Sequence, residues 1–591
     1  MPTNARLLLL LVSSFLVALG CGGATSPAPA TAEGAVDPSA SAEPPPGPAI
    51  AVIWTDATKL SEACNAAIAN ASHTRTQITK LDRNAVDAKE ALALFDAMER
   101  SVDEVGGIAG AMANLHPDAA VRDAADRCEQ AISKFDTDAS LDRDLYAVAS
   151  AISGDLGSED ARYLKRILRA FLRAGVDKDE ATRKRLAALD ERMVKISQDY
   201  ERNVREDVRH IEVTKGDLAG LPDDYVAGHA PGENGKIRIT TDYPDFFPFE
   251  TYAKDANLRK ELYLAFLNRG YPKNEALLLE MLQVRKEYAG LLGYDSWPAY
   301  ATADMMAGSA DSVRAFVGEL REAIRPPMEK DIAAFLARKR KDQKGAKRFE
   351  VWDRFYYRDK IQSERHNIDT QAIRAYFSYP KVRDGILALY GDLFGVEFRR
   401  LEDAPTWHES VEAYALYRDG KEEGRFFFDN HPREGKFKHA AAQPIRSGDR
   451  LGRIPVATLM QNFANPAEGP ALMEHSDVVT FFHEFGHLMH HLLGTGSRYI
   501  ADNGFATEWD FVEAPSQLLE EWAWSPEVLA TFATHQETGE PIPADLVTRM
   551  RAAEEFGKAA SLGRQLFYTA VSFELHAADP AKLDLEATMD K

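Results

Sequence analysis

The segment from Asp477 to Leu493 reads DVVTFFHEFGHLMHHLL, and at its centre is the set HEFGH, which begins at His483. On a helix, His483 and His487 lie one turn apart and project from one face, as two nitrogen ligands of a tetrahedral zinc ion do. Glu484 is turned about 100° away from His483. It is therefore placed to take a proton from a water molecule whose pKa the metal lowers to about 7.

The residues around this set are apolar on almost every side of the helix, so the segment should be buried. Two neighbouring histidines and a glutamate would be costly to bury without partners. Metal binding removes that difficulty, and we prefer it to two surface histidines on an ordinary amphipathic helix. Ser476 or Asp477 can cap the start of the helix, and Gly494 can end it.

A third protein ligand is expected downstream, in the segment EWDFVEAPSQLLEEWAW that begins at Glu508. No third histidine follows at short spacing, so a carboxylate is the expected ligand. Spacing alone does not choose among four candidates, which are Glu508, Asp510, Glu513 and Glu520. Pro515 favours a helix that begins close by, because proline is tolerated only in a first turn.

The HEFGH set followed by DFVEAPSQLLE resembles the thimet oligopeptidase and neurolysin family of zinc peptidases. The resemblance implies that His483, His487 and Glu513 bind one zinc ion and that Glu484 is the general base. It extends over most of the chain after the N-terminal segment. It also implies two helical lobes around a deep channel that admits short unfolded peptides and excludes folded proteins.

Three more polar residues are candidates for orienting the ligands, as metal sites usually require. Asp510 and Gln517 flank Glu513 in sequence. The alternatives for these two are a solvated carboxylate and a helix-packing amide. His490 follows His487 by one helical turn, and the resemblance makes it a neighbour of the site rather than a fourth ligand.

Residues 1–20 predict a bacterial lipoprotein signal peptide. Their apolar core, Leu7 to Leu19, is too short to span a bilayer, and a small residue precedes Cys21. This pattern implies cleavage before Cys21 and lipid attachment to its thiol; the alternative is an ordinary secreted protein. Residues 21–49 are rich in alanine and proline and predict a disordered tether. We therefore expect a lipid-anchored protein of the cell envelope, at the outer membrane, on its periplasmic or surface face.

The net charge of −21 argues against nucleic-acid binding and against electrostatic attraction to anionic lipid. We expect short peptides as substrates, no nucleic-acid partner, membrane contact only through the anchor, and a monomer. Cys64 and Cys128 could pair in an oxidising periplasm, or they could be two separate buried thiols.

The apolar periodicity predicts a mainly α fold. With the resemblance added, we expect two regions, an N-terminal helical region at 50–345 and a catalytic zinc peptidase region at 346–591. The clearest helical stripe runs from Leu186 to Val208. Around Asp419-Gly420 the sequence predicts two strands joined by a turn, and hence a small sheet beside the zinc helix. An exposed edge of that sheet could pair with an extended peptide.

Three further histidines are given no role in the metal site. We expect His491 on the surface, and His431 and His439 in polar loops.

The last helical stretch runs from Asp545 to His576. In the family it resembles, a glycine-rich loop follows, with a histidine and tyrosines that stabilise the oxyanion. Such preorganised donors are typically worth about 10²–10³ in rate. No such segment occurs before Lys591, so we expect a sequence that is incomplete at its C-terminus or, alternatively, an impaired protein.

These features predict a zinc-dependent metallo-oligopeptidase that hydrolyses internal bonds of short unstructured peptides. Two alternatives remain at this stage. One is a dipeptidyl carboxypeptidase with the same chemistry. The other is a non-catalytic peptide-binding lipoprotein with a structural zinc.

Overall fold

The computed structural model describes residues 56–585 and 587. The predicted signal peptide, the tether and Cys21 lie outside these residues. Most of the described chain is helical and two small sheets complete it, so the predicted mainly α fold is confirmed. None of the described helices combines the length and the apolar character needed to cross a bilayer.

The N-terminal part is a set of packed helices, most of which begin after an aspartate that accepts hydrogen bonds from N–H groups of the first turn. The helices are α1 (Ala57–Thr79), α2 (Ala88–Leu115), α3 (Ala119–Ser140), α4 (Arg143–Ala151), α5 (Ser158–Ala174) and α6 (Glu180–Glu206). A disulfide between Cys64 and Cys128 joins α1 to α3, which settles the choice between a pair and two thiols. The predicted stripe on α6 is buried from Leu186 to Val204.

A two-stranded antiparallel sheet and six helices follow. These elements are β1 (His210–Val213), α7 (Asp223–Gly228), β2 (Ile237–Thr240), α8 (Tyr243–Tyr252), α9 (Ala256–Leu267), α10 (Lys273–Leu292), α11 (Trp297–Thr302) and α12 (Ala310–Asp342). All of them except α12 contribute to one hydrophobic core together with α6, and Phe335 of α12 packs in a separate cluster with Tyr357 and Phe556.

The second half of the chain contains three helices and then a five-stranded sheet. The elements are α13 (Arg354–His366), α14 (Thr370–Arg374), α15 (Tyr379–Phe394), β3 (Glu397–Arg400), β4 (Glu412–Arg418), β5 (Lys421–Asp429), β6 (Ala441–Arg446) and β7 (Val456–Met460). The predicted turn between β4 and β5 is confirmed. Asp419 and Gly420 both adopt positive φ there, at 52° and 78°, as a tight hairpin of this kind requires.

The sheet has the strand order β3-β4-β5-β7-β6, so β6 is an edge strand. The β5–β7 pair is parallel and the other pairs are antiparallel. One face, with Phe426, Phe428 and Leu459, packs against the helix that carries HEFGH. The other face, with Phe427 and Val456, packs against α2. The sheet is therefore buried on both faces, beside the predicted zinc helix.

The C-terminal part consists of five helices, which are α16 (His475–Leu493), α17 (Glu513–Glu520), α18 (Pro526–Phe532), α19 (Ala544–Glu554) and α20 (Lys558–Ala577). The stretch predicted as one helical run from Asp545 is thus two helices. Gly557 separates them with a φ of 83°, a conformation that glycine adopts without strain. Leu575 of α20 packs in the same core as Leu186 of α6, and the predicted division of the chain at residue 345 stays a prediction.

A cavity of about 1640 Å³ lies between the helical lobes, as predicted for the channel. Its wall includes parts of α6 and α8 on one side and α16 on the other. The edge strand contributes its first two residues, Ala441 and Ala442, together with Ala440 just before it. The cavity therefore brings the N-terminal helices, the sheet edge and the HEFGH helix to one space.

Candidate metal centre

Helix α16, which carries HEFGH, has a defined start and end, and one of its faces packs against the sheet. Glu474 is its N-cap and forms a capping box with Asp477, so Ser476, proposed as one possible cap, has no such role. Gly494 follows the last turn, as predicted. Phe482 and Phe485 are fully buried against the sheet, and His483 and His487 consequently face the cavity.

Three side chains converge on one point of the cavity wall. The Nε2 atoms of His483 and His487 lie 3.2 Å and 3.1 Å from Oε2 of Glu513. One ligand atom from each of the three residues can be chosen so that all lie within 4.8 Å of one another. The structure thus brings together the three residues named from the sequence as zinc ligands. Glu513 is the most open of them, with a side chain that is 55% exposed.

Glu520 contacts the opposite nitrogen of one of these imidazoles. Its Oε1 lies 2.6 Å from Nδ1 of His483, so Nδ1 can donate a hydrogen bond to this carboxylate while Nε2 is turned toward Glu513. The sequence presented Glu520 only as a candidate third ligand. Its position two helical turns after Glu513, on the same face of α17, is the sequence signal that indicates its role.

The carboxylates of Glu513 and Glu520 stabilise a positive charge on His483. Burial lowers the pKa of His483, but hydrogen bonds to Glu513 and Glu520 outweigh burial and raise that pKa to about 10. Hydrogen bonds from the two histidines hold the pKa of Glu513 far below its ordinary value. The cluster therefore favours a positive charge at this point, whether it is a proton or a divalent cation.

Ser516 and Gly486 determine how close α17 lies to α16. The hydroxyl of Ser516 lies 3.0 Å from Oε2 of Glu513 and orients that carboxylate. A Cβ on Gly486 would lie 2.9 Å from Cα of Ser516, a contact that real structures do not tolerate. The glycine inside HEFGH is therefore required by the close approach of the two helices.

Glu484 is buried beside the cluster, with 8% of its surface exposed. The backbone N–H of Ala442, in the edge strand, donates a hydrogen bond to its carboxylate. Burial is the main cause that raises the pKa of Glu484 above its ordinary value. A raised pKa suits a carboxylate that must take up a proton and release it again near neutral pH.

The three residues predicted to orient the ligands lie near the cluster but do not bond to it. Asp510 accepts hydrogen bonds from the backbone N–H groups of Met306 and Ala307, at 3.0 Å and 2.9 Å. Gln517 is exposed on α17. His490 packs its ring against Phe505.

His491, expected at the surface, is buried, whereas His431 and His439 lie in the loop between β5 and β6, as predicted. His491 is 2% exposed and lies 3.1 Å from the carbonyl oxygen of Arg446. His431 is 5% exposed, and His439 contacts the hydroxyl of Tyr243. The expectation for His491 was wrong because α16 packs against the sheet at this point, a tertiary contact that periodicity does not show.

A second charged cluster lies at the end of β5. The fully buried carboxylate of Asp429 accepts hydrogen bonds from Trp407 (2.7 Å) and Arg433 (2.5 Å). Lys436 is also fully buried; its Nζ lies 3.0 Å from Asp429 Oδ1 and donates to three backbone carbonyl groups. This network fixes the loop that leads from β5 into the edge strand.

The donor set of the first cluster fits a zinc ion. Two imidazole nitrogens and one carboxylate oxygen, with an open side toward a cavity, are typical of a catalytic zinc site. The carboxylate of Glu520, which contacts Nδ1 of His483, is the hydrogen-bond partner that a zinc-binding histidine usually has on its other nitrogen.

Comparison with known proteins places the chain in a family. Residues 249–591 match the family model described as Peptidase family M3, and the chain belongs to that family. It is 30% identical over 494 residues to saccharolysin of Saccharomyces cerevisiae, covering 78% of this chain and 69% of the yeast protein. It is 31% identical over 444 residues to oligopeptidase A of Salmonella typhimurium, covering 71% of this chain and 65% of that protein.

The fold has relatives among solved structures as well. A crystal structure of a Bacillus anthracis protein assigned as an oligoendopeptidase F aligns with a TM-score of 0.53 and 14% identity. The alignment covers 88% of this chain and 80% of the other. At this identity, the similarity shows a shared fold.

Proposed function

We propose that this protein is a zinc-dependent metallo-oligopeptidase that hydrolyses internal bonds of short, unstructured peptides. The observation that carries the proposal is the convergence of His483, His487 and Glu513 on a cavity wall, with Glu484 beside them. Membership of Peptidase family M3 supports it, as do the names of the relatives, saccharolysin and oligopeptidase A.

His483, His487 and Glu513 would hold the metal, and Glu520 would keep His483 in the tautomer that presents Nε2. When bound, zinc supplies an electrophile that polarises the scissile carbonyl and lowers the pKa of water. Glu484 takes the proton of the attacking water and later delivers it to the leaving amine. Ala442 holds the Glu484 carboxylate through its backbone N–H, so the base keeps a fixed position.

The cavity and the edge strand support a preference for extended, unfolded substrates. Ala441 and Ala442, the first two residues of the edge strand, border the cavity. An edge strand offers unpaired backbone groups, and a peptide that lies along it is bound with little demand on its sequence. A folded protein presents no free strand of this kind to a cavity between two lobes.

We also propose that the protein is a monomeric, lipid-anchored enzyme of the cell envelope. The support is the sequence pattern that ends at Cys21 and the disulfide between Cys64 and Cys128, since disulfides persist mainly in oxidising compartments. Labelling with a radioactive fatty acid tests the anchor: label in the wild-type chain, and none in Cys21→Ser, is the expected result.

The variant Glu484→Gln tests the enzymatic role. We expect hydrolysis of a quenched fluorescent peptide to fall by about 10²–10⁴, because the general base is removed while the ligands are kept. Zinc content, measured by atomic emission, should remain that of the wild type. Glu527→Gln, which changes an exposed carboxylate outside the cavity, is the matched control and should retain full activity.

Two results would contradict the proposal. Loss of zinc from Glu484→Gln would show that this residue is a ligand and not the base. Peptide binding without any hydrolysis by the zinc-loaded wild type would favour the non-catalytic alternative. Mass analysis of products from a peptide with a blocked C-terminus separates cleavage of internal bonds from release of C-terminal dipeptides.

A further inference from the structure

Arg205, near the end of α6, is a buried arginine in the wall of the cavity. It is 6% exposed and lines the same space as the metal cluster. Its guanidinium donates one hydrogen bond, from Nη1 to Oδ1 of Asn114 at 3.2 Å. Its Nε is buried without a partner, and no ion pair with a carboxylate of the described chain is formed.

Four carboxylates act on this guanidinium from a distance, and none forms an ion pair with it: Asp126, Glu129, Glu201 and Glu206. Asp126 forms its ion pair with Arg202, one turn closer to the start of α6. Glu201 lines the same stretch of wall, and burial is the main cause that raises its pKa to about 7, so this carboxyl carries only part of a charge at neutral pH. A buried cation without a paired anion is costly, and a bound anion would remove that cost.

The hydrogen bonds and the chain length set an upper limit on the distance between Arg205 and the edge strand. Asn114, its partner, accepts a hydrogen bond through its carbonyl group from the backbone N–H of Phe437. Phe437 precedes Ala442 by five residues, and Ala442 contacts Glu484. An extended chain spans no more than about 3.6 Å for each residue, so Phe437 lies within about 18 Å of Ala442, the residue beside Glu484. A peptide on the edge strand therefore reaches Arg205 with only a few residues beyond the cleaved bond.

The wall between these two points carries a second buried cation. Lys438 is 5% exposed and lines the cavity, with its Nζ 3.1 Å from Oδ1 of Asp242. Lys438 therefore has its counterion, and Arg205 does not. The unpaired charge at this end of the cavity is on the guanidinium.

We propose that Arg205 binds the C-terminal carboxylate of peptide substrates, with Asn114 orienting the guanidinium. This inference rests on the proposed peptidase function. A guanidinium binds a carboxylate through two parallel hydrogen bonds and repels an ammonium group, so the charge also sets the direction of the bound peptide. Substrates with a free C-terminus a few residues beyond the cleaved bond are preferred, and the site of cleavage is measured from that end.

The test compares one fluorogenic peptide in two forms, with a free C-terminal carboxylate and with a C-terminal amide. The zinc-loaded wild-type protein should hydrolyse the free acid with a kcat/KM at least about tenfold higher, mainly through a lower KM, since a hydrogen bond to a charged group is at stake. In Arg205→Met this ratio should fall to about one, with the amide form unaffected. Arg205→Lys, which keeps the charge without the paired geometry, should retain an intermediate ratio.

Arg192→Met is the matched control on the same helix. Arg192 pairs with Glu280 and does not line the cavity, so its loss should leave the acid-to-amide ratio unchanged. A merely structural role of Arg205 would lower hydrolysis of both peptides together, which contradicts the proposal.

Failure of this inference can be told apart from failure of the proposed function. Equal hydrolysis of acid and amide by the wild type overturns the role of Arg205 and leaves the peptidase function standing. If the wild type hydrolyses neither peptide, the peptidase function fails. Fluorescence polarisation with zinc-loaded Glu484→Gln then compares binding of the two peptides directly, and equal affinities overturn the carboxylate site.

Discussion

Two charged clusters lie beside the same sheet, and they differ in where their charges are satisfied. In the cluster of Asp429, a fully buried carboxylate meets Arg433 and Lys436, and every partner comes from the chain itself. In the cluster of His483 and Glu513, the imidazoles and carboxylates face a cavity and stay open on one side.

This difference separates a structural charge network from a functional one. Around Asp429, burial raises the pKa of the carboxyl, but Lys436 and Arg433 outweigh burial and hold it at about 2. The network is closed, so a ligand has nothing to add to it. At the open cluster the side toward the cavity stays free, so a bound metal ion would have room for a water molecule and a substrate carbonyl. The predictions below test this contrast.

The largest effect is expected at the open cluster. Glu513→Ala should lose bound zinc and reduce peptide hydrolysis at least about a thousandfold, because the metal contributes several kcal/mol to the transition state. Zinc content and initial rates measure the two losses. Leu518→Ala, on the same helix and 70% exposed, should change neither. A zinc-replete and active Glu513→Ala would show that another residue is the third ligand.

A substitution in the closed cluster around Asp429 should lower the stability of the protein. Asp429→Asn is expected to lower the free energy of unfolding by about 3–5 kcal/mol, since it leaves Lys436 buried without its counterion. Urea denaturation measures the change. Glu287→Gln, which breaks an exposed pair with Arg185, should change stability by no more than about 1 kcal/mol. Equal effects of the two variants would remove the distinction between buried and exposed pairs.

A smaller effect is expected from the outer partner of the metal cluster. Glu520→Gln should weaken zinc binding by about 10–100-fold without unfolding the protein, because His483 loses the group that fixes its tautomer. Competition with a chelator gives the affinity. Glu521→Gln, at the next position, pairs with Arg551 and provides the control. Unchanged affinity in Glu520→Gln would mean that packing alone holds His483 in place.

The smallest expected effect depends on pH. Burial lowers the pKa of His431 to about 4, despite its hydrogen bond to the carbonyl of Phe463. Between the ordinary pKa of about 6.5 and this value, the unfolded chain binds the proton first, so stability falls as the pH falls. His431→Asn should therefore remove about 2 kcal/mol of the stability change between pH 7 and pH 5.

Urea denaturation of the two proteins at both pH values measures this contribution. His73→Asn, at an exposed position, should leave the wild-type pH dependence unchanged. An unchanged dependence in His431→Asn as well would mean that His431 takes up its proton in the folded state as readily as in the unfolded chain.

The sequence predicted those features that depend on local periodicity. The spacing of His483 and His487, the helix start near Pro515 and the hairpin at Gly420 all follow from neighbouring residues. The resemblance to a family then selected Glu513 from four carboxylates. What brings these elements together is the packing of the helices and the sheet.

Tertiary packing produced the features that the sequence did not indicate. Asp510 bonds to the loop at Met306, more than two hundred residues away along the chain, so spacing to Glu513 gave no guide. His491 and His431 are buried because the sheet and α16 meet there. Arg205 is an ordinary basic residue in the sequence, and only the cavity wall distinguishes it.

The missing side chain at Gly486 determines how far apart the two halves of the metal site stand. Glu513 reaches the histidines because α17 rests directly on the backbone of α16, with no room for a methyl group between them. The distance between ligands is therefore set by a clearance rather than by an attraction. A single methyl group at this point would displace α17 and move Glu513 away from the two histidines, so the glycine acts as a spacer of zero length.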